Sequence, residues 1–221
     1  MFPNWAKNIL FLLVYMLSGL TLVLIIEGLL SGTALTLFDT SIEQVVVHIR
    51  TPFLTNFFIF IAGVGSPFVL TVVSAFLAIM LAIRKDIYSA LLMVVAMVVS
   101  LASLTVLKDI FQVSRPPNTL FNFSGWSFPS GHATMVTAFF FITTYTFFGR
   151  IRTTLGRVNL VLGSVLGTIL VCLSRLYLGA HWALDVLAGI TLGLLSVSFV
   201  ILIFNIFLEE RFSNRKKLSL W

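Results

Sequence analysis

Charge is scarce in this chain. Only 10% of its 221 residues are Asp, Glu, Lys or Arg, while 59% are hydrophobic and the mean hydropathy is +1.08. A soluble domain of this length cannot hide so much apolar surface, so the bilayer is its solvent. Acidic residues are the rarer sign, eight against fourteen basic ones. The net charge of +6 does not point to nucleic acid, because the basic residues are spread between apolar runs rather than gathered on one face. There is one cysteine, Cys172, inside an apolar run. It cannot form a disulfide within the chain and reads as a packing residue. No internal repeat, low-complexity segment or composition break marks a second domain, so residues 1–221 read as a single membrane domain.

What is present is a series of apolar runs. A helix crossing the hydrocarbon core needs about 20 residues. Runs at 8–30, 67–83 (rather short), 87–107, 131–148, 158–173 and 181–207 predict six transmembrane helices, an all-α integral membrane bundle. The first run is longer than a signal-peptide core and has no convincing small-residue cleavage site after it. Residues 31–39 read as a loop. Thr40 and Glu43 then show capping-box spacing, and Ile42, Val45, Val46, Ile49 and Phe53 recur at helical intervals among polar residues. That pattern predicts an amphipathic interfacial helix over 40–63, between the first two spans. His48 belongs to it and is assigned no role. Gly63, Gly65 and Pro67 break the helix before the next span. A charged tail follows at 209–217.

Charge orients the bundle. With the amino terminus in the cytoplasm, Lys7, Arg84, Lys85, Arg150, Arg152, Arg157 and the four basic residues of the tail all lie inside, ten of the fourteen. Arg50, Lys108, Arg115 and Arg175 are left outside. The last three sit at outer span ends, where a charge near lipid costs several kcal/mol, roughly 2.5–3.5 at a helix centre. They are misplaced as topology signals and point to chemistry instead.

Arg175, His181 and Asp185 cluster between the last two runs. His181 and Asp185 are four apart, so on a helix the carboxylate reaches one ring nitrogen, fixes the tautomer and frees the other nitrogen to attack. Gly179 permits a turn before them. Lys108 and Arg115 are seven apart and point the same way if their helix continues to about Ser114, with Pro116 ending it. Ser130 is placed to cap the fourth span, Gly131 lets an anion approach its backbone donors, and His132 sits in the first turn. Two histidines and a carboxylate could instead hold iron or zinc, but three surrounding cations favour an oxyanion over a divalent metal. Trp126, Phe128 and Trp182 are placed to line an entrance at headgroup level.

Three stretches carry a family resemblance: Lys108-x6-Arg115-Pro116, Pro129-Ser130-Gly131-His132, and Ser174-Arg175-x5-His181-x3-Asp185. They resemble, complete and in order, the three signature motifs of the type 2 phosphatidic acid phosphatase superfamily, and the resemblance covers 67–207 as the phosphatase core. That superfamily includes bacterial phosphatidylglycerophosphate and undecaprenyl-pyrophosphate phosphatases, lipid A phosphatases, glucose-6-phosphatase and soluble vanadium haloperoxidases. The resemblance implies a six-helix membrane core and a phosphohistidine mechanism with neither metal nor cofactor. It implies His181 as nucleophile, Asp185 as its orienting partner and His132 as general acid. Lys108, Arg115, Ser130, Gly131 and Arg175 would bind the phosphoryl oxygens. The expected substrate is a phospholipid or isoprenoid-lipid phosphate taken from the bilayer. The expected setting is a bacterial cytoplasmic (inner) membrane, with the site on the periplasmic or extracellular side. A phosphatase for a soluble phosphomonoester, or a transporter or scaffold with a vestigial site, are the alternatives.

Overall fold

The computed structural model of the protein describes residues 4–32 and 34–207, and every regular element among them is helical. Eight helices follow one another: α1 (Asn4–Ser31), α2 (Ala34–His48), α3 (Pro52–Val64), α4 (Pro67–Ile83), α5 (Ile87–Phe111), α6 (Gly131–Phe148), α7 (Thr154–Tyr177) and α8 (Ala183–Phe207). The starts of α3 to α7 are written in the sequence. Thr51, Ser66, Asp86, Ser130 and Thr153 each accept, through the side chain, the amide three residues on. Pro52 and Pro67 open α3 and α4, where a missing amide costs nothing. The charged tail at 209–217 lies outside the described residues.

The segment expected to be interfacial differs in two ways. Residues 34–39 are helical rather than loop, so Thr40 and Glu43 lie inside α2 rather than at its start. Thr40 instead donates to the Leu37 carbonyl (3.0 Å), and Glu43 accepts from the Asn118 side chain (3.1 Å). The single helix expected over 40–63 is also two helices. Pro52 disfavours helical geometry at the residue before it, and Thr51 is accordingly extended, with φ −135° and ψ 155°. The break before Pro67 falls where the glycines place it, and α3 and α4 meet there at 41°.

By length and composition α1, α5, α7 and α8 can each cross a membrane, and α3 with α4 makes a fifth if the bent pair is one span. The six apolar runs are therefore not matched one for one. α4 has only 17 residues, and α6 carries five threonines. The environment of α6 explains its composition. It packs against α4, α5, α7 and α8, and Met135, Val136, Ala138 and Ile142 are fully buried, so it meets protein rather than lipid.

α8 is the central helix, packed on α1, α5 and α6. Gly189 and Gly193 form a groove on its α6-facing side. A Cβ at Gly189 would stand 2.7 Å from the Ser130 carbonyl oxygen, and one at Gly193 would stand 2.7 Å from that of Thr134. The backbones can approach this closely only because both residues lack a side chain. The approach sets the first turn of α6 against the first turn of α8, where the Ser130 amide donates to the Asp185 carbonyl (2.9 Å). At the opposite end Asn205 accepts from Tyr88 (3.0 Å) and Tyr145 (3.1 Å) and donates to Asn8 (2.9 Å). Arg150 pairs there with Asp86 and donates to Ser89 (2.8 Å).

Gly189→Ala should destabilise the bundle by about 1–3 kcal/mol through overpacking against Ser130. Gly163→Ala, where nothing lies within 4 Å of the added carbon, should be neutral or slightly stabilising. Thermal unfolding in detergent checks this, and equal melting temperatures for the two variants would refute the close approach.

Candidate active site

The sequence-predicted residues converge at one end of the bundle. Lys108 comes from the last turn of α5, Arg115 from the loop after it, and Ser130, Gly131 and His132 from the start of α6. Arg175 lies in the last turn of α7, His181 in the link to α8, and Asp185 in the first turn of α8. Ser130 is fully buried, and Asp185, Arg175 and His181 are 2%, 4% and 5% exposed.

Two local expectations are corrected. α5 stops at Phe111, because Gln112 adopts a left-handed conformation (φ 47°), so Lys108 and Arg115 do not share a helix. They meet through the loop instead. Lys108 Nζ donates to the Trp126 carbonyl (2.6 Å) and more weakly to that of Ser127 (3.4 Å). Arg115 donates to the carbonyls of Ser124 (3.0 Å), Gly125 (3.1 Å) and Ala180 (2.6 Å). Phe128 does not line an entrance. It is fully buried and packs edge-on against Phe111, with centroids 5.4 Å apart. Trp126 is 42% exposed, and Trp182 is tied by its indole nitrogen to the Ser114 carbonyl (3.0 Å).

His181 lies before α8 rather than within it, yet its Nδ1 stands 3.5 Å from Asp185 Oδ2. Gly179 makes the turn that delivers it, at φ +68°, where a Cβ would meet the Asn118 carbonyl oxygen at 2.7 Å. Asp185 Oδ2 also accepts from the Trp182 amide (2.9 Å) and from the hydroxyl of Ser127. On the other side of the ring, Arg115 Nη1 lies 3.5 Å from His181 Nε2. A guanidinium only donates, so this contact assigns the lone pair to Nε2 and the proton to Nδ1. Burial first, and then the charges of Arg115, Arg175 and Lys108, hold the His181 pKa well below the ordinary histidine value. The imidazole is neutral at pH 7, with its free lone pair among cations.

His132, in the first turn of α6, is half-buried beside the Ala62 backbone of α3, with Arg175 and Arg115 as charged neighbours. A side chain on Gly131 would reach only Leu104 and Pro67 within 4 Å, so little protein crowds it. Arg175 Nε is buried and has no hydrogen-bond partner. An unsatisfied buried guanidinium is costly, and an anion would satisfy it.

Residues 89–208 match the PAP2 superfamily, the type 2 phosphatidic acid phosphatases. The chain belongs to that superfamily. It is 32% identical over 180 residues to phosphatidylglycerophosphatase B of Bacillus subtilis (strain 168), covering 78% of this chain and 86% of that protein. It is 28% identical over 175 residues to an undecaprenyl-diphosphatase of Sulfolobus acidocaldarius, covering 71% and 73%. The fold is similar to the crystal structure of a transmembrane PAP2 type phosphatidylglycerolphosphate phosphatase from B. subtilis (TM-score 0.72, 26% identity, 95% of this chain and 99% of that one). It is also similar to that of Aquifex aeolicus LpxE (TM-score 0.60, 25% identity, 74% and 94%). The protein is thus an integral membrane phosphatase of the PAP2 kind.

Two residues of this PAP2 site were not singled out from sequence. Ser127 is fully buried, and its hydroxyl holds the same carboxylate oxygen that faces His181. Asp39 reaches over from α2 to accept the Leu184 amide at the start of α8 (2.9 Å). It borders a narrow cleft shared with Glu43, Pro116 and His181. Neither could be read as a site residue, because a serine near a helix cap and an aspartate in an amphipathic stretch are both commonplace.

Ser127→Ala should lower kcat roughly 10–100-fold with little change in KM, the loss of one hydrogen bond to a charged group being worth about 1.5–3 kcal/mol. Steady-state kinetics on folded variant checks this, and an unchanged kcat would free Asp185 from dependence on Ser127.

Burial raises the Asp39 pKa from its ordinary 3.8 to about 6. The folded state therefore holds this proton more tightly than the unfolded chain does. The contribution to stability is fully present below the unfolded pKa and is lost as pH rises through about 6. Asp39→Asn keeps an acceptor for Leu184 without the charge. It should melt higher than the wild type at pH 7.5, with the gap closing by about pH 4. A gap that does not vary with pH would contradict this.

Proposed function

We propose that this PAP2 protein hydrolyses the phosphomonoester or pyrophosphate of a membrane lipid, through a phosphohistidine on His181, at the non-cytoplasmic face. The observation that carries the reading is the neutral imidazole of His181. Its Nε2 lone pair faces Arg115 and its Nδ1 faces a buried carboxylate.

The phosphoryl group would sit among Lys108, Arg115, Arg175 and the amides at the start of α6, which offset the charge on its three equatorial oxygens. His181 Nε2 attacks phosphorus while the bond to the leaving oxygen breaks, and His132 gives that oxygen its proton. The ring becomes an imidazolium whose Nδ1–H is held by Asp185. A water then attacks the phosphohistidine and passes a proton to His132. Phosphate leaves, and both histidines return to their starting states. The charge stabilisation comes from the protein's own cations, so no metal is required by this scheme.

The substrate class and sidedness rest on position. The named relatives act on phosphatidylglycerophosphate and undecaprenyl diphosphate, and the site lies at helix ends where a headgroup would reach it. We read α1, α4, α5, α6, α7 and α8 as six spans, with α2 and α3 lying against the membrane surface at the site end. The Thr51 amide at the start of α3 donates to the Tyr177 hydroxyl (2.8 Å), which supports that placement. Lys7, Arg84, Lys85, Arg150, Arg152 and Arg157 fall at the other end, which supports cytoplasmic termini and an outward site in a bacterial inner membrane.

An activity panel on purified protein tests the function. Phosphatidic acid, phosphatidylglycerophosphate or undecaprenyl pyrophosphate should outcompete sugar phosphates, and chelators should leave turnover intact. A preference for soluble phosphomonoesters would favour the alternative. Full loss in chelator, restored by one divalent metal, would revive a metal triad.

The two histidines should separate by leaving group. His132→Ala should lose about 10²–10⁴-fold on a lipid monophosphate and lose less on nitrophenyl phosphate, whose leaving group needs little protonation. His181→Ala should be inactive on both. Equal loss on both substrates for a folded His132→Ala would refute its assignment. For topology, cysteine at the exposed Asn122 should react with an impermeant thiol reagent in intact cells, and cysteine at Thr154 should be protected. The reverse pattern would invert the sidedness.

A further inference from the structure

Phe123 belongs to none of the three motifs, yet both outer arginines of the site lie over its ring. The guanidinium carbon of Arg115 is 5.5 Å from the ring centroid and that of Arg175 is 5.2 Å. We propose that Phe123 is a positioning residue for oxyanion binding: its ring gathers the two guanidiniums into place before the anion arrives. The inference rests on reading the site as a phosphatase site, and it names what pre-organises that site.

The two arginines are held very differently. Arg115 is tied to four backbone carbonyls, those of Ser124, Gly125, Trp126 and Ala180. Arg175 is 4% exposed, and its Nε has no hydrogen-bond partner, so the ring face is what steadies it. The negative face of an aromatic quadrupole attracts a cation, and the attraction grows when the pair is removed from water. Two guanidiniums drawn to one ring are also like charges brought together, which nothing but a counter-charge would favour otherwise. With the ring in place, that arrangement exists before substrate binds. Without it, ordering the two arginines becomes part of the cost of binding.

The ring is itself well anchored. Phe123 packs against the buried cluster of Ala62, Tyr177 and Leu178, which Val46 of α2 and Leu54 and Phe58 of α3 also cover. Its ring does not bear on the nucleophile, so its loss should act on anion affinity rather than on the chemical step.

The test uses the full chain in detergent, with nitrophenyl phosphate as substrate and orthovanadate and inorganic phosphate as inhibitors. Phe123→Leu keeps an apolar side chain without the ring. It should weaken both inhibitors roughly ten-fold and raise KM in step, with kcat changed far less. Phe123→Tyr and Phe123→Trp should stay close to wild type. Mono-, di- and trifluorophenylalanine at this position withdraw density from the ring face at nearly constant shape, so inhibition should weaken stepwise with each fluorine. A merely structural role would leave that series flat, and it carries the test even if Phe123→Leu fails to fold. Unchanged inhibition in Phe123→Leu, or a flat fluorine series, overturns the inference while the wild type still binds vanadate. A wild type that neither turns over a phosphate ester nor binds vanadate overturns the phosphatase reading, and the inference with it.

Discussion

Positive charge removed from water is the constraint that organises this molecule. Lys108, Arg115 and Arg175 converge on a region where Asp185 is the nearby carboxylate. Each cation taken from water costs several kcal/mol unless something replaces its hydration. The loop between α5 and α6 supplies much of that replacement. In a helix the carbonyls of residues 124–127 would be spent on the ladder. In the loop they turn inward, onto Lys108 and Arg115.

The same charge has a second effect. A histidine surrounded by cations and buried by three helix ends stays neutral, so the field that would draw in an oxyanion also keeps the lone pair of His181 available. Asp185 cannot offset all of that charge, since its Oδ2 is already shared by Ser127, Trp182 and His181. The surplus is what an anion would neutralise. Close contact between α6 and α8 then matters because it brings the start of α6, with its free amides and His132, to the same point.

Much of this was legible in the sequence, for a plain reason. In a chain so poor in charge, three cations, two histidines and a carboxylate at span ends stand out, and Ser130 and Pro67 mark helix starts unambiguously. What escaped had no such contrast. The left-handed Gln112 is a non-glycine with no warning in its neighbours. An aromatic near an interface can face in or out, and Phe128 faces in. The threonines of α6 look too polar for a span until α4, α5, α7 and α8 are seen to enclose it. The start of α2 was hidden because residues 34–39 lack the polar periodicity of the stretch that follows. Ser127 and Asp39 act through partners more than fifty residues away in sequence, as Phe123 does toward Arg175, and no local pattern records such contacts.

The central claim is covalent. Rapid acid-free quenching of the enzyme with a radiolabelled lipid phosphate, followed by peptide mapping, should find phosphate on His181 in a bond that is labile to acid and stable to alkali. The label should be absent from His181→Ala. A folded, active enzyme that carries no label, or carries it on any residue other than His181, would contradict the account.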